Sequence, residues 1–282
     1  MNPTKKMPGV IAHRGLLLAA VAIFGGALAF GGLFDRATAE GPADGEASSS
    51  AAAKVFSSEQ KTGIEAIVRE YLLANPEIFL EVQTELEKRL EHAQAERMKT
   101  AIKSNAKDLY QRTDAPMAGD PNGDITVVEF FDYNCGFCKR GFSQLSQLIE
   151  NDKKVRVVFK ELPILSKGSE EASRVALAAK QQGKYWDVHR ALLNHRGSVD
   201  GNSALRIAGK LGLDVEKLKK DKDSQAVTAE IDKVRDLAQK MGINGTPHFL
   251  VGDRTIPGAP ENLYEQLASH VKELRANGCE VC

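Results

Sequence analysis

One short segment limits the folds open to this chain more than any other: Val127-Val-Glu-Phe-Phe-Asp-Tyr-Asn-Cys-Gly-Phe-Cys138. An apolar, β-prone run from Ile125 to Phe131 leads through Asp132-Tyr-Asn134 into a stretch with helical spacing at Phe142, Leu145, Leu148 and Ile149. A strand must therefore end at a helix whose first turn holds Cys135-x-x-Cys138. Unpaired backbone N–H groups and the helix dipole favour a thiolate at that end. Such placement brings a cysteine pKa from about 8.5 down to roughly 3.5–7.5. The second cysteine, three residues on, is within disulfide reach on one helical turn. Cys135 is thus expected to attack and Cys138 to resolve the mixed disulfide. Three other readings compete: a structural zinc site completed by Cys279 and Cys282, an inert buried pair, and a purely structural disulfide. Zinc sites of that kind usually sit in loops, which disfavours the first.

The remaining sequence supplies an α/β layout around this segment. Residues 155–159 read as a second buried strand, and 248–251 as a third with a turn at Gly252-Asp253. Between them the pattern is helical over about 167–241, broken at Gly183, Gly197-Ser198 and Gly212. A last amphipathic helix is expected over 261–276, stopped by Asn277-Gly278. The domain so defined spans 113–278, followed by a Cys279-Glu-Val-Cys282 tail at 279–282.

Upstream of it the composition changes twice. Lys5, Lys6 and Arg14 precede an uncharged run over 15–34, with Ala37-Thr-Ala39 after it. Residues 1–39 therefore read as a cleaved signal peptide or an N-terminal membrane anchor, placing the rest outside the cytoplasm, where disulfides persist. Residues 40–55 are small and polar, a flexible linker. Residues 56–112 read as a helical stalk. Ser57 and Gln60 form a capping-box pattern, Asn75-Pro76 divides two helices, and an apolar stripe runs through Phe79, Val82, Leu86 and Leu90. That stripe invites self-association, although the heptad breaks at Arg89. Lys plus Arg and Asp plus Glu both number 38, so no chain-wide basic footprint points to nucleic acid. No cofactor or metal is expected.

The combination of motifs resembles the DsbA family of thiol:disulfide oxidoreductases. It comprises the strand and C-x-x-C site, Glu161-Leu-Pro-Ile after the second strand, Tyr185-Trp186-Asp-x-His189 in the helical region, and Gly245-Thr-Pro-His-Phe-Leu-Val-Gly252. The resemblance implies a thioredoxin-like fold with a helical insertion, and a cis Thr246–Pro247 bond facing Cys135 and helping to hold a substrate chain. The stalk sequence from Ile67 to Ile78 is similar to that of ScsC-like proteins, which raises the expectation of a homo-oligomer. The implied partners are cysteine-containing client proteins and a membrane redox partner, in the periplasm.

Several side chains are singled out with this resemblance in view. Glu129 shares a strand face with Val127 and Phe131. It is either a salt-bridged structural carboxylate or a proton acceptor for the cysteines, with Lys160 as a candidate partner. Thr246 is expected to set its backbone, and its hydroxyl, beside the Cys135 sulfur. His248 reads as a strand residue, and Tyr185 and Trp186 as core. Cys279 and Cys282 form a candidate second thiol pair. Gly136-Phe137 between the cysteines lacks the histidine of strong oxidants, and Thr246 replaces their valine. Both favour isomerase or reductase use over net oxidation. The alternative is a Cu(I)-binding or copper-tolerance protein built on the C-x-x-C pairs.

Overall fold

A computed structural model describes residues 55–281; the segments read as targeting sequence and nearly all of the linker, with Cys282, lie outside the described residues. The chain divides into two units, one ending at Asn75 and the other beginning at Pro76.

In the first unit, helix α1 (Ser58–Ala74) starts at the expected capping box. Ser57 accepts the Gln60 amide, and Gln60 takes the Ser57 N–H at 2.8 Å. Asn75 ends it by returning its backbone and side-chain N–H groups to the Tyr71 carbonyl. No residue of α1 is buried, and Ile67, Val68 and Tyr71 are exposed.

The second unit opens with α2 (Glu77–Ser104) and the short α3 (Ala106–Tyr110). The stripe at Phe79, Val82, Leu86 and Leu90 is exposed, but the end of the expected stalk belongs to the core. Ile102, Leu109 and Tyr110 are buried with Val128, Phe130 and Val158.

A five-stranded sheet follows: β1 (Met117–Gly119), β2 (Ile125–Phe131), β3 (Val155–Glu161), β4 (His248–Val251) and β5 (Arg254–Pro257), in the order β1-β3-β2-β4-β5. Strands β2 and β3 are parallel and the other pairs antiparallel. Every residue of β2 is buried, because helices cover both faces; a strand so placed reads as a continuous apolar run. On one face, α4 (Gly136–Asn151) and α10 (Leu263–Asn277) bring Leu145, Leu148, Leu267 and Val271 against Val127, Phe131 and Val157. On the other, α9 (Gln225–Met241) brings Val234, Leu237 and Met241 against Val128, Phe130 and Leu250.

Between β3 and β4 lie five helices: α5 (Lys167–Lys180), α6 (Tyr185–Leu193), α7 (Gly201–Lys210), α8 (Val215–Asp221) and α9. Their N-termini are capped by Ser166, Asp200, Asp214 and Ser224 at α5, α7, α8 and α9. No described helix is long and apolar enough to cross a membrane.

Candidate active site

The site forms where β2 hands the chain to α4. Cys135 is the N-cap of α4, with extended backbone, and its sulfur accepts the Cys138 amide at 3.4 Å. Its own amide donates to the Asp132 carbonyl at 3.1 Å, closing the turn. From the other side comes the loop before β4, where Thr246–Pro247 is cis, as the resemblance implied. The Cys135 thiol donates to the Thr246 carbonyl at 3.2 Å.

The two sulfurs are inequivalent for physical reasons. The pKa of Cys135 is lowered to about 6, chiefly by the Cys138 thiol, with the Thr246 hydroxyl and the Cys138 and Phe137 amides assisting against burial. Burial pushes Cys138 strongly upward, and Cys135 and Glu129 reinforce the shift. At neutral pH Cys135 is a thiolate and Cys138 a buried thiol. Both are free cysteines here. This is the division of labour that disulfide exchange requires: one attacking sulfur, and one that resolves from beneath.

Thr246 sets its backbone beside the nucleophile, as expected: its carbonyl accepts from the Cys135 thiol, while its hydroxyl is buried and makes no hydrogen bond with the thiol form. An unengaged donor that favours the anion is held ready for the thiolate form.

Glu129 is fully buried, and neither carboxylate oxygen has a hydrogen-bond partner. Burial, then Cys135, then Glu161 raise its pKa well above the usual range. The salt-bridged alternative is thereby excluded. Lys160 cannot serve it: parallel pairing aligns Glu129 with Phe159, and Lys160, one residue on, faces the opposite layer. There its ammonium donates to the Asp108 carbonyl at 2.6 Å. His248 bonds Thr255 at 2.5 Å rather than either cysteine, and burial lowers its pKa to about 4.

Trp186 stacks on Phe159, with ring centroids 5.7 Å apart, in the core as expected. Tyr185 is also buried, but its hydroxyl belongs to a polar cluster that sequence reading missed. Glu161, fully buried, accepts from Tyr133 and Tyr185 at 2.9 Å and from Ser173 at 2.7 Å. The visible signal was a carboxylate closing an otherwise apolar strand.

Cys279 lies elsewhere. It is disulfide-bonded, and a Cβ added at Gly252 would come within 3.2 Å of its sulfur. Antiparallel pairing puts Val251 beside Val127, at the start of β2, whereas Cys135 lies beyond its end. At about 3.3 Å per residue, the four residues from Val127 to the end of β2 put roughly 13 Å of strand between them, with Cys135 further on beyond the Asp132–Asn134 turn.

A thioredoxin-type sheet with a helical insertion, a C-x-x-C at the start of a helix and a cis-proline loop on its nucleophile define a thiol:disulfide oxidoreductase scaffold. The chain belongs to the DSBA-like thioredoxin domain family, whose profile matches residues 126–272. Residues 60–93 match the copper resistance protein ScsC N-terminal domain. A thioredoxin-like oxidoreductase from Silicibacter pomeroyi DSS-3 is 45% identical, with a TM-score of 0.58 over 61% of this chain and 98% of that one. Proteus mirabilis ScsC in a transitional conformation is 28% identical, with a TM-score of 0.57 over 78% and 99%. Disulfide bond formation protein D of Bacillus subtilis is 30% identical over 57% of this chain and 77% of its own length. The chain also matches part of Na(+)/H(+) antiporters, such as NhaA 3 of Salinispora tropica, 29% identical, of which it spans only 22%.

Proposed function

We propose that this protein exchanges disulfides with cysteine-containing client proteins in the periplasm, and that it works as an isomerase or reductase rather than as a net oxidant. The observation that carries the reading is the Cys135 sulfur with its lowered pKa, which accepts the Cys138 amide and, as a thiol, donates to the Thr246 carbonyl, above a buried Cys138. Cys135 attacks a client disulfide sulfur; the client's departing sulfur leaves as thiolate. Cys138, on losing its proton, then attacks the Cys135 sulfur and releases the second client thiolate, so the client gains the two electrons that Cys135 and Cys138 give up on forming their disulfide. In its carboxylate form Glu129, on the same sheet face, is the candidate acceptor for the Cys138 proton, and the raised pKa of its buried carboxyl makes that form a strong base. Phe137, Ile164 and Leu165 are exposed near the nucleophile and offer an apolar seat for an unfolded client.

Direction follows from thiolate stability. A Cys135 pKa of about 6 is depressed but well above the roughly 3.5 of the strongest oxidants. The reduced form is correspondingly less favoured, which suits isomerisation. The exposed stripes on α1 and on α2 support a homo-oligomer that presents several such sites to one client. A membrane partner would return electrons to the site. The copper-tolerance alternative needs only the two sulfurs; it gives no reason for a proline loop on the nucleophile.

Refolding of a scrambled-disulfide client, alongside reduction of a model disulfide, tests the reading. Recovery of native client that requires Cys135 supports it. Tight Cu(I) binding without any exchange would replace it.

A further inference from the structure

The turn that presents Cys135 is held by all three of its side chains. Asp132 accepts the Asn134 amide on one oxygen and the Ile164 and Leu165 amides on the other. Asn134 pairs in both directions with the Val199 backbone, at 2.7 and 2.9 Å. Tyr133 reaches inward instead, to Glu161, the carboxylate that also receives Tyr185 of α6 and Ser173 of α5.

The His189 Nδ1 atom lies 3.1 Å from the Tyr133 oxygen, the ring tautomer setting which of the two donates. Its Nε2 is buried with no partner. Burial lowers the His189 pKa to about 3, so the ring is neutral.

Stability alone does not account for this cluster. The Tyr133 ring packs edge-on against Phe131 at 5.0 Å, a contact that phenylalanine would keep. The hydroxyl adds a bond to a fully buried carboxylate, and such a group usually stabilises less than an apolar side chain of similar size. What the hydroxyl does provide is a tie between the nucleophile's turn and two helices of the insertion.

We propose that Tyr133 is a positioning residue for Cys135: its hydrogen bond to Glu161 fixes the turn against α5 and α6, and so keeps the sulfur in line with the α4 amides and the Thr246 loop. The turn is closed by the Cys135 amide on the Asp132 carbonyl, so a displacement of Tyr133 is transmitted to Cys135. The inference rests on exchange at Cys135 as proposed above. Inactive wild-type protein would end that reading, whereas the variants below test only placement.

The experiment compares Tyr133→Phe with Tyr185→Phe in the full chain. Each removes one hydroxyl from the same carboxylate oxygen, but only Tyr133 lies on the active-site turn. Both should lose similar thermal stability. Only Tyr133→Phe should raise the Cys135 pKa, slowing alkylation at pH 6 by at least about twofold and making the site less oxidising against glutathione by a similar factor. An unmoved Cys135 pKa in Tyr133→Phe, or an equal rise in Tyr185→Phe, overturns the proposal. Should Tyr133→Phe not fold, Glu161→Asp carries the same titration: it keeps the carboxyl group but withdraws it from Tyr133, and an unmoved pKa there overturns the proposal too.

Discussion

Replacing Thr246 with valine should move two properties in opposite senses. The hydroxyl is buried without a partner while Cys135 is a thiol, and it favours the thiolate once the proton leaves. Valine keeps the branched shape and removes the donor. A hydrogen bond contributes about 0.5–1.5 kcal/mol net, and one pKa unit corresponds to about 1.36 kcal/mol. The Cys135 pKa should therefore rise from about 6 to between about 6.4 and 7. At pH 6 the thiolate fraction would fall from about one half to between about 0.1 and 0.3, with alkylation slowing roughly two- to fivefold. At pH 5, where the thiol form dominates, the same change removes an unsatisfied buried hydroxyl, and the reduced protein should be more stable by up to about 1–3 kcal/mol. The assay pairs a thiolate absorbance titration with urea unfolding at pH 5, both on reduced protein lacking Cys279 and Cys282. A pKa that stays put or falls, or a loss of stability at pH 5, would refute the reasoning.

Cys135→Ser should abolish exchange, whereas Cys138→Ser should accumulate mixed disulfides with clients, visible on non-reducing gels; retained reductase activity in Cys135→Ser would reverse the roles. Because the folded Cys135 pKa lies near 6 against an ordinary 9.0, the unfolded chain holds a proton that the folded one has lost. The stability of the reduced form relative to the oxidised form should then rise with pH between about 6 and 9, by up to about 4 kcal/mol, and fall above 9, where the unfolded Cys138 ionises and the buried one does not; a flat difference between pH 6 and 9 would count against a depressed thiol. Replacing Cys279 and Cys282 together by serine should leave the exchange rate and potential of Cys135–Cys138 unchanged, since Cys279 sits at the other end of β2. Removing residues 55–95 should leave a folded, redox-active monomer, while removing 55–112 strips Ile102, Leu109 and Tyr110 from the core and should cost several kcal/mol in urea unfolding; a monomer mass by light scattering for the full chain as well as for the shorter truncation would end the oligomer proposal.

The placement of Cys135 and Cys138 at the start of a helix was legible in the sequence because the groups involved are neighbours along the chain. A strand period of two, a turn and a helical period of 3.6 suffice to place Cys135 and Cys138 on one helical turn. The α1 capping box was legible for the same reason: both its partners lie within four residues. Glu129 could be assigned to a strand face by alternation, and so to a buried environment. What it lacked was a partner, and that depended on the pairing of β2 with β3, whose register turns Lys160 into the other layer. The Glu161 cluster draws on the active-site turn, the end of β3 and two helices of the insertion, separated by up to 56 residues between Tyr133 and His189. No local period relates those positions. Likewise, Thr246 was read as adjacent to the sulfur, but whether carbonyl or hydroxyl faces it is decided by how the loop packs on α4. Sequence determines which groups a chain carries and which side of its own strand or helix each occupies; which buried groups face each other across elements is settled only by packing, where each donor must find its acceptor.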